Sequence, residues 1–236
     1  MTEPHRWGTA PEFVGPRHEL RERLLLDLFV SAEPGRKVLN VGAGQGSFSV
    51  RLAHRGFDVT SVDESEPAVA VLRQRLRGAV ARADAADLPF PDRTFDALVL
   101  AEVLEHLPDD EAALREAARV LRPEGILAVS EPANPQSFGA SDRWAGHQRR
   151  YSRTALVSVC EAAGFRVQRC LAWGFPFSAL YHRHLYERRL DRHGAAPPRF
   201  WERPALAVLR LVLQLDRLFV GVERGALGYL LVATRE

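Results

Sequence analysis

The run VLNVGAGQGSFSVRLA, residues 38–53, decides how the rest of the chain is read. An apolar strand ends in a glycine-rich turn, and a helix follows at once. Gly42, Gly44 and Gly46 stand in the spacing G-x-G-x-G. Glycine accepts positive φ and lets a ligand approach the backbone with no Cβ in the way. A helix starting near Gln45 aims its free N–H groups into the turn. Such a turn holds the polar end of a nucleotide-like cofactor. The dinucleotide fingerprint would need glycine where Ser47 stands, and a P-loop would need a lysine that this turn lacks. A tight strand–helix junction with no ligand is the plainer alternative.

Working outward, residues 19–30 (ELRERLLLDLFV) read as an amphipathic helix leading to a strand at 37–41. The helix after the glycine turn runs to about His54 and is broken by Gly56. A second strand follows at 57–63, a helix at 66–76 and a short third strand at 79–83. FDALVLA, residues 95–101, is continuously apolar, as expected of a strand covered on both faces. A helix at 109–121, a turn at Pro123-Glu124-Gly125, a fifth strand at 126–130 and a helix at 154–163 come next. Strands at 165–172 and 229–234 complete the set. Strands alternating with helices imply right-handed βαβ units, a parallel sheet and an α/β class. Residues 173–228 are too long for a plain connection and carry two helical patterns, 177–190 and 204–223. They read as an insertion that covers the site or shapes a substrate pocket.

With 236 residues the chain reads as one domain, 1–236, opened by a helical segment at 1–36. A hydrophobic share of 46% and a charged share of 26% belong to a globular protein. A net charge of +2 gives no basic field that would argue for nucleic acid. Lys37 is the sole lysine among many arginines and alanines, which reads as a GC-rich bacterial coding bias. Cys160 and Cys170 make no disulfide framework, and Cys160 sits on an apolar helix as core. MTEPHRWGTAPEF has no apolar signal core and no long uncharged run suggests a membrane span, so a cytoplasmic setting is expected.

Open α/β sheets bind ligands beyond the carboxyl ends of their strands. Asn40 and the glycines follow strand one, and Asp63 follows strand two, where an acid can accept from a ribose diol or cap the next helix. Asp84 and Ala85 follow strand three, where a carboxylate can meet an adenine amino group or close a turn. Glu102 follows strand four in AEVLEHL, with His106 close behind.

VLNVGAGQG, SVDES, ADAADLPFPDRTFDALVLAEVLEHLPD and RVLRPEGILAVSEP, in that order, resemble the successive motifs of class I S-adenosylmethionine-dependent methyltransferases. The likeness is nearest to the small-molecule enzymes with a type 11 or 12 domain, and covers residues 37 to about 132. It implies a Rossmann-like seven-stranded sheet of order 3-2-1-4-5-7-6 with strand seven antiparallel, agreeing with the late apolar strand. It also implies S-adenosylmethionine as cofactor, held by Asn40, Gly42, Gly44, Gly46, Asp63, Glu64, Asp84, Ala85 and Glu102. The family usually has an acid at the position of Asn40. Asparagine keeps an acceptor but not the charge, and charge-assisted hydrogen bonds are about twice as strong.

Methyl transfer asks the protein to align a nucleophile with the methyl carbon. Where a proton must leave, the candidate groups are His147 in GHQRRYS, His106, and Tyr151. His147 could instead order its loop, and His106 and Tyr151 could pack. Arg143, Arg149, Arg150 and Arg153 could meet an anionic substrate or simply be solvated. No metal is expected. His182-x-His184 lacks a third ligand, and no carboxylates cluster beyond those given to the cofactor. Residues 205–222 are apolar but for a narrow face of Arg210, Gln214 and Arg217. They read as a helix packed on the domain, with a lid over an apolar substrate or peripheral membrane contact as the sharper alternatives. With Trp173, Phe175, Phe177 and Tyr181 they favour a small, partly apolar metabolite as the substrate. The rivals are a non-catalytic S-adenosylmethionine-binding accessory protein, a methyltransferase acting on a macromolecule, and a nicotinamide oxidoreductase. The glycine spacing disfavours the last. AEVL, in place of [DN]-P-P-[YFW] after strand four, argues against base or glutamine methylation.

Overall fold

The computed structural model describes residues 15–188 and 203–236. The first fourteen residues of the expected N-terminal segment, and the end of the helical pattern at 177–190, lie outside the described residues.

Seven strands form one sheet: β1 (Lys37–Val41), β2 (Asp58–Asp63), β3 (Val80–Arg82), β4 (Phe95–Ala101), β5 (Leu121–Pro132), β6 (Phe165–Trp173) and β7 (Gly228–Arg235). Their order is β3-β2-β1-β4-β5-β7-β6. The first five pair in parallel, and β7 is antiparallel to both neighbours. Order and direction are those expected. The turn expected at Pro123-Glu124-Gly125 is a bulge inside β5. Phe95 faces Leu121 and Ala97 faces Ile126, so one residue opposes four.

Both faces of the sheet are covered. Leu39, Val41, Leu98, Leu100, Leu127 and Val129 point to one side, where α4 (Asp110–Val120) and α6 (Arg153–Ala162) close over them. Their neighbours Val38, Ala97, Val99, Ile126 and Ala128 point to the other, against α1 (Pro16–Ser31) and α2 (Ser47–His54). This period-two alternation within unbroken apolar runs is what a doubly covered strand requires. Two shorter helices matter below: α5 (Ala140–Ala145), after β5, and α7 (Phe177–Tyr181), after β6. α3 (Glu66–Arg75) joins β2 to β3 and is capped by the Ser65 hydroxyl.

Gly46 caps α2 with φ +84°, and a Cβ there would lie 2.8 Å from Leu72 Cδ2 of α3. Gly46→Ala is therefore expected to lower the unfolding free energy by about 1–3 kcal/mol, readable by denaturant titration.

The helix expected over 204–223 is α-helical in α8 (Arg203–Gln214) and then tightens into a 3-10 turn, Leu215–Phe219. Its polar edge runs alongside α1. Arg210 reaches Glu19 and Arg217 reaches Asp27, both on α1, at 2.8 and 3.0 Å. Leu213 is buried beneath, while Leu211 and Leu218 are 73% and 79% exposed. No helix among the described residues is long and apolar enough to cross a membrane.

Candidate active site

A cleft of about 1170 Å³ lies beyond the carboxyl ends of β1, β2 and β4. Its sheet side is lined by Asn40, Gly42, Gly44, Asp63, Glu64, Asp84, Ala85 and Glu102. Eight of the nine residues expected around a cofactor thus meet in one cavity. Gly46 does not line it; its glycine answers to Leu72 instead, as above.

The turn geometry follows from the glycines. Gly42 has φ +64°, and a Cβ there would sit 2.5 Å from Val103 Cγ2. Gly44 has φ +52°, but a Cβ there would meet nothing within 4 Å. One glycine lets protein approach protein, while the other keeps open space beside the backbone. The Gly44 N–H donates to Asp63 Oδ2 at 2.8 Å and the Ser65 N–H to Oδ1 at 2.9 Å. Asp63 therefore fixes the glycine turn while each of its oxygens keeps a lone pair for the cleft. Asn40 is buried and donates from Nδ2 to Ser49 Oγ, which in turn meets Ser61 Oγ, both at 2.8 Å. Asp84 Oδ1 accepts from the Ala86 N–H, the turn bond foreseen as its plainer role, yet the residue still lines the cavity.

Glu102 has φ +60°, a strained setting for a side-chain-bearing residue, directly after β4. Arg21 of α1 reaches its carboxylate at 2.9 Å. Burial works against the charge of Glu102, but the Arg21 guanidinium more than offsets it and holds the carboxyl below its ordinary range. Arg21 Nε is buried without a partner.

Arg17, His18, Arg21 and Glu22 all line the cleft from α1, and sequence reasoning missed every one. Glu22 is buried and accepts from the Ser47 hydroxyl, from Arg51 Nε at 2.8 Å and from His18 Nε2 at 3.1 Å. Burial raises its pKa, but His18, Ser47 and Arg21 together bring it down to about 2. A carboxylate whose folded pKa lies below its unfolded value of 4.5 stabilises the fold above pH 4.5 and loses that contribution as pH falls towards 2. The contribution is about 3 kcal/mol. We expect wild type to lose this much more stability than Glu22→Gln between those pH values, measured by urea unfolding at each pH.

The far wall of the cleft comes from α5, α7 and the segments beside them. Trp144, Trp173, Tyr181, His182, Tyr186 and Leu227 line it. Phe175 and Phe177, expected there, are absent from the lining; Phe175 packs edge-on against Phe219 with ring centroids 6.3 Å apart. His182 accepts from Arg17 at 2.8 Å and stacks on Tyr186. Burial, then the nearby Arg17 charge, pushes its pKa down to about 2, so it stays neutral.

His147 and His106 stand where the two walls meet. His147 Nδ1 donates to Asp142 Oδ1 at 2.9 Å, which orients its other nitrogen. Asp142 also accepts from Arg150 Nε and from the Gly139 N–H, each at 2.8 Å. The His106 ring sits edge-on to His147, centroids 4.7 Å apart. Burial, then the neighbouring His147, pushes the His106 pKa down to about 4. Tyr151 is a correction. Its hydroxyl donates to Asp110 Oδ2 at 2.5 Å, and the side chain is buried outside the cavity lining. Of the four arginines considered for an anionic substrate, Arg149 binds Asp110 and Arg153 binds Glu223. Arg143 is exposed, and Arg150 alone of the four reaches the cleft.

Carboxylates cluster beyond those given to the cofactor, contrary to expectation. Glu105 and Glu131 are fully buried side by side, near Glu102. Burial, then repulsion by Glu131, raises Glu105 well above the carboxylate range, and burial raises Glu131 as well. Glu131 accepts from the Leu104 and Glu105 N–H groups, both at 3.1 Å, and so caps the short turn that carries His106. Cys160 is buried in the core as expected, with burial lifting its thiol to about 12.

Comparison with known proteins agrees with this geometry. A family model described as a methyltransferase domain matches residues 39–129. A demethylmenaquinone methyltransferase of Tropheryma whipplei is 38% identical over 109 residues, 45% of this chain and 46% of that one. The chain thus spans about half the length of that relative. Among solved structures, the [4+2]-cyclase SpnF superposes with a TM-score of 0.64 at 24% identity, covering 99% of this chain and 87% of that one, a likeness of fold alone. A protein of Mycolicibacterium smegmatis named as a probable S-adenosylmethionine-dependent methyltransferase is 33% identical over 181 residues, 73% of this chain and 70% of its own. With that extent of identity, and with the sheet order and glycine turn described above, the chain belongs to the S-adenosylmethionine-dependent methyltransferases.

Proposed function

We propose that the chain transfers a methyl group from S-adenosylmethionine to an oxygen, nitrogen or carbon nucleophile of a small, partly apolar metabolite. The observation that carries this reading is a single cleft with two chemically different walls. One offers acids and open backbone, which suits a nucleoside with an amino-acid tail. The other offers indoles, phenols and imidazoles, which suits an aromatic acceptor. Its volume of about 1170 Å³ leaves room for both molecules.

In this reading Asp63 takes the ribose hydroxyls, Asp84 and Ala85 flank the adenine, and Glu64 lies beside them. Gly42, Gly44 and Asn40 border the methionine tail. Glu102 accepts from its amino group and Arg21 meets its carboxylate. The space beside Gly44 and the unpartnered Arg21 Nε support the fit. When bound, the sulfonium supplies an electrophilic methyl on a good leaving group. The protein's own work is alignment and proton handling. His147, oriented by Asp142, takes the acceptor's proton, with His106 beside it. Trp144, Trp173, Tyr181 and Tyr186 hold the acceptor's apolar surface and exclude water. We read the described part of 173–228 as the wall that shapes this pocket within one domain. The Tropheryma relative's name points to a quinone-like acceptor.

The test is direct. S-adenosylmethionine, and not NAD, should raise the melting temperature. The chain should then release S-adenosylhomocysteine when supplied with hydroxylated naphthoquinones or phenols. Binding without turnover across such acceptors would favour the accessory reading, and no binding would end both.

A further inference from the structure

The structure assigns a divalent transition-metal site to Glu105, His106 and His147, at the meeting of the two walls. The inference rests on the methyl-transfer reading of the cleft and adds a ligand to its acceptor side. One ligand atom from each of the three residues lies within 4.8 Å of the others. Glu105 Oε1 is 3.8 Å from His147 Nε2 and 4.0 Å from His106 Nε2. Ligands of a tetrahedral zinc with bonds of ~2.0–2.1 Å lie about 3.3 Å apart, so closure draws Glu105 towards each imidazole by roughly half an ångström and the two imidazoles together by at most ~1.5 Å.

Glu105 supplies the independent argument. It is fully buried, and neither carboxylate oxygen has a hydrogen-bond partner. Its neighbour is a second carboxylate, Glu131, whose oxygens already accept two backbone N–H groups. Two carboxyls packed together in the interior cannot both ionise without a cation, so a metal at the outer oxygen of Glu105 would take the place of its proton. Asp142 holds the far nitrogen of His147 at 2.9 Å, the carboxylate–histidine–metal arrangement that fixes a ligating imidazole. His106 and His147 line the cleft, so a fourth position opens to the acceptor. Two imidazoles and one carboxylate favour zinc or a neighbouring first-row ion over magnesium, which prefers oxygen ligands. With His147 Nε2 committed to the metal, the ion takes over the role proposed for that imidazole: a hydroxyl of the acceptor bound there would lose its proton to solvent more readily. The acceptor class is therefore a phenol or enol able to offer oxygen to a metal.

The full chain, stripped with a chelator and dialysed, is titrated with Zn²⁺ by calorimetry and with Co²⁺ by visible absorption. We expect one equivalent per chain and a cobalt band from imidazole ligation. Glu105→Gln, His106→Ala and His147→Ala should each weaken Zn²⁺ binding at least tenfold, and Asp142→Asn ~10–100-fold. His184→Ala, at an exposed histidine, should leave it unchanged. S-adenosylmethionine binding by the same samples reports that each variant is folded. Absent saturable binding, or binding indifferent to the Glu105, His106 and His147 changes in variants that still bind S-adenosylmethionine, overturns the site and leaves the methyl-transfer reading standing. Loss of S-adenosylmethionine binding by the wild-type chain would instead remove the reading on which the site rests.

Discussion

Asp63→Ala is expected to weaken S-adenosylmethionine binding about 100-fold, or ~2.7 kcal/mol. The carboxylate stands at the end of β2 and accepts the Gly44 and Ser65 N–H groups at 2.8 and 2.9 Å. Removing it takes away the acceptors proposed for the ribose diol, where bonds to a charged group contribute ~1.5–3 kcal/mol each. It also frees the glycine turn, so the ligand must order what was already ordered. Asp63→Asn keeps one acceptor oxygen and should fall between the two. Calorimetric titration reads the dissociation constant directly. A value unchanged in Asp63→Ala would mean that the sugar lies elsewhere, and the assignment of the sheet-side wall would fail with it.

His147→Ala should lower kcat by ~10²–10⁴ while S-adenosylmethionine affinity stays within a few-fold of wild type. The expectation comes from position. His147 lines the cleft, is held through Nδ1 by Asp142, and stands beside His106. Asp142→Asn should lose less, because asparagine still offers an oxygen to Nδ1 but not a charge. Steady-state kinetics at saturating cofactor and acceptor separates this from a binding defect. If kcat in His147→Ala matches wild type, the imidazole neither moves the acceptor's proton nor orients the acceptor. Tyr151, by contrast, should act on stability, since its hydroxyl is committed to Asp110.

The sheet was legible because its signals are local. The central strands β1, β4 and β5 carry apolar runs, and the acids after β2, β3 and β4 land at the same sheet edge. Asp63, Asp84 and Glu102 could therefore be picked out one strand at a time. What escaped depends on contacts between distant segments. Arg21 sits among polar residues on an amphipathic helix, and its approach to Glu102 follows from how α1 crosses the strand ends. Glu131 ends a buried strand and meets Glu105 from 26 residues away. Gly46 falls in one spacing with Gly42 and Gly44, and spacing cannot tell a ligand-side glycine from one facing Leu72. Phe175, Phe177 and Tyr151 stay outside the cleft for a related reason, since an aromatic near a cleft in sequence can turn to either side of its backbone.

The helix α1 gives the family's boundaries a practical meaning. The matched stretch begins at residue 39, after α1 has ended. Yet α1 brings the guanidinium that meets Glu102, and its Leu20, Leu25 and Phe29 roof one side of the sheet. Recognition and competence thus belong to different lengths of polypeptide. A fragment cut to the matched stretch would still announce its kinship while missing a wall of its own binding chamber.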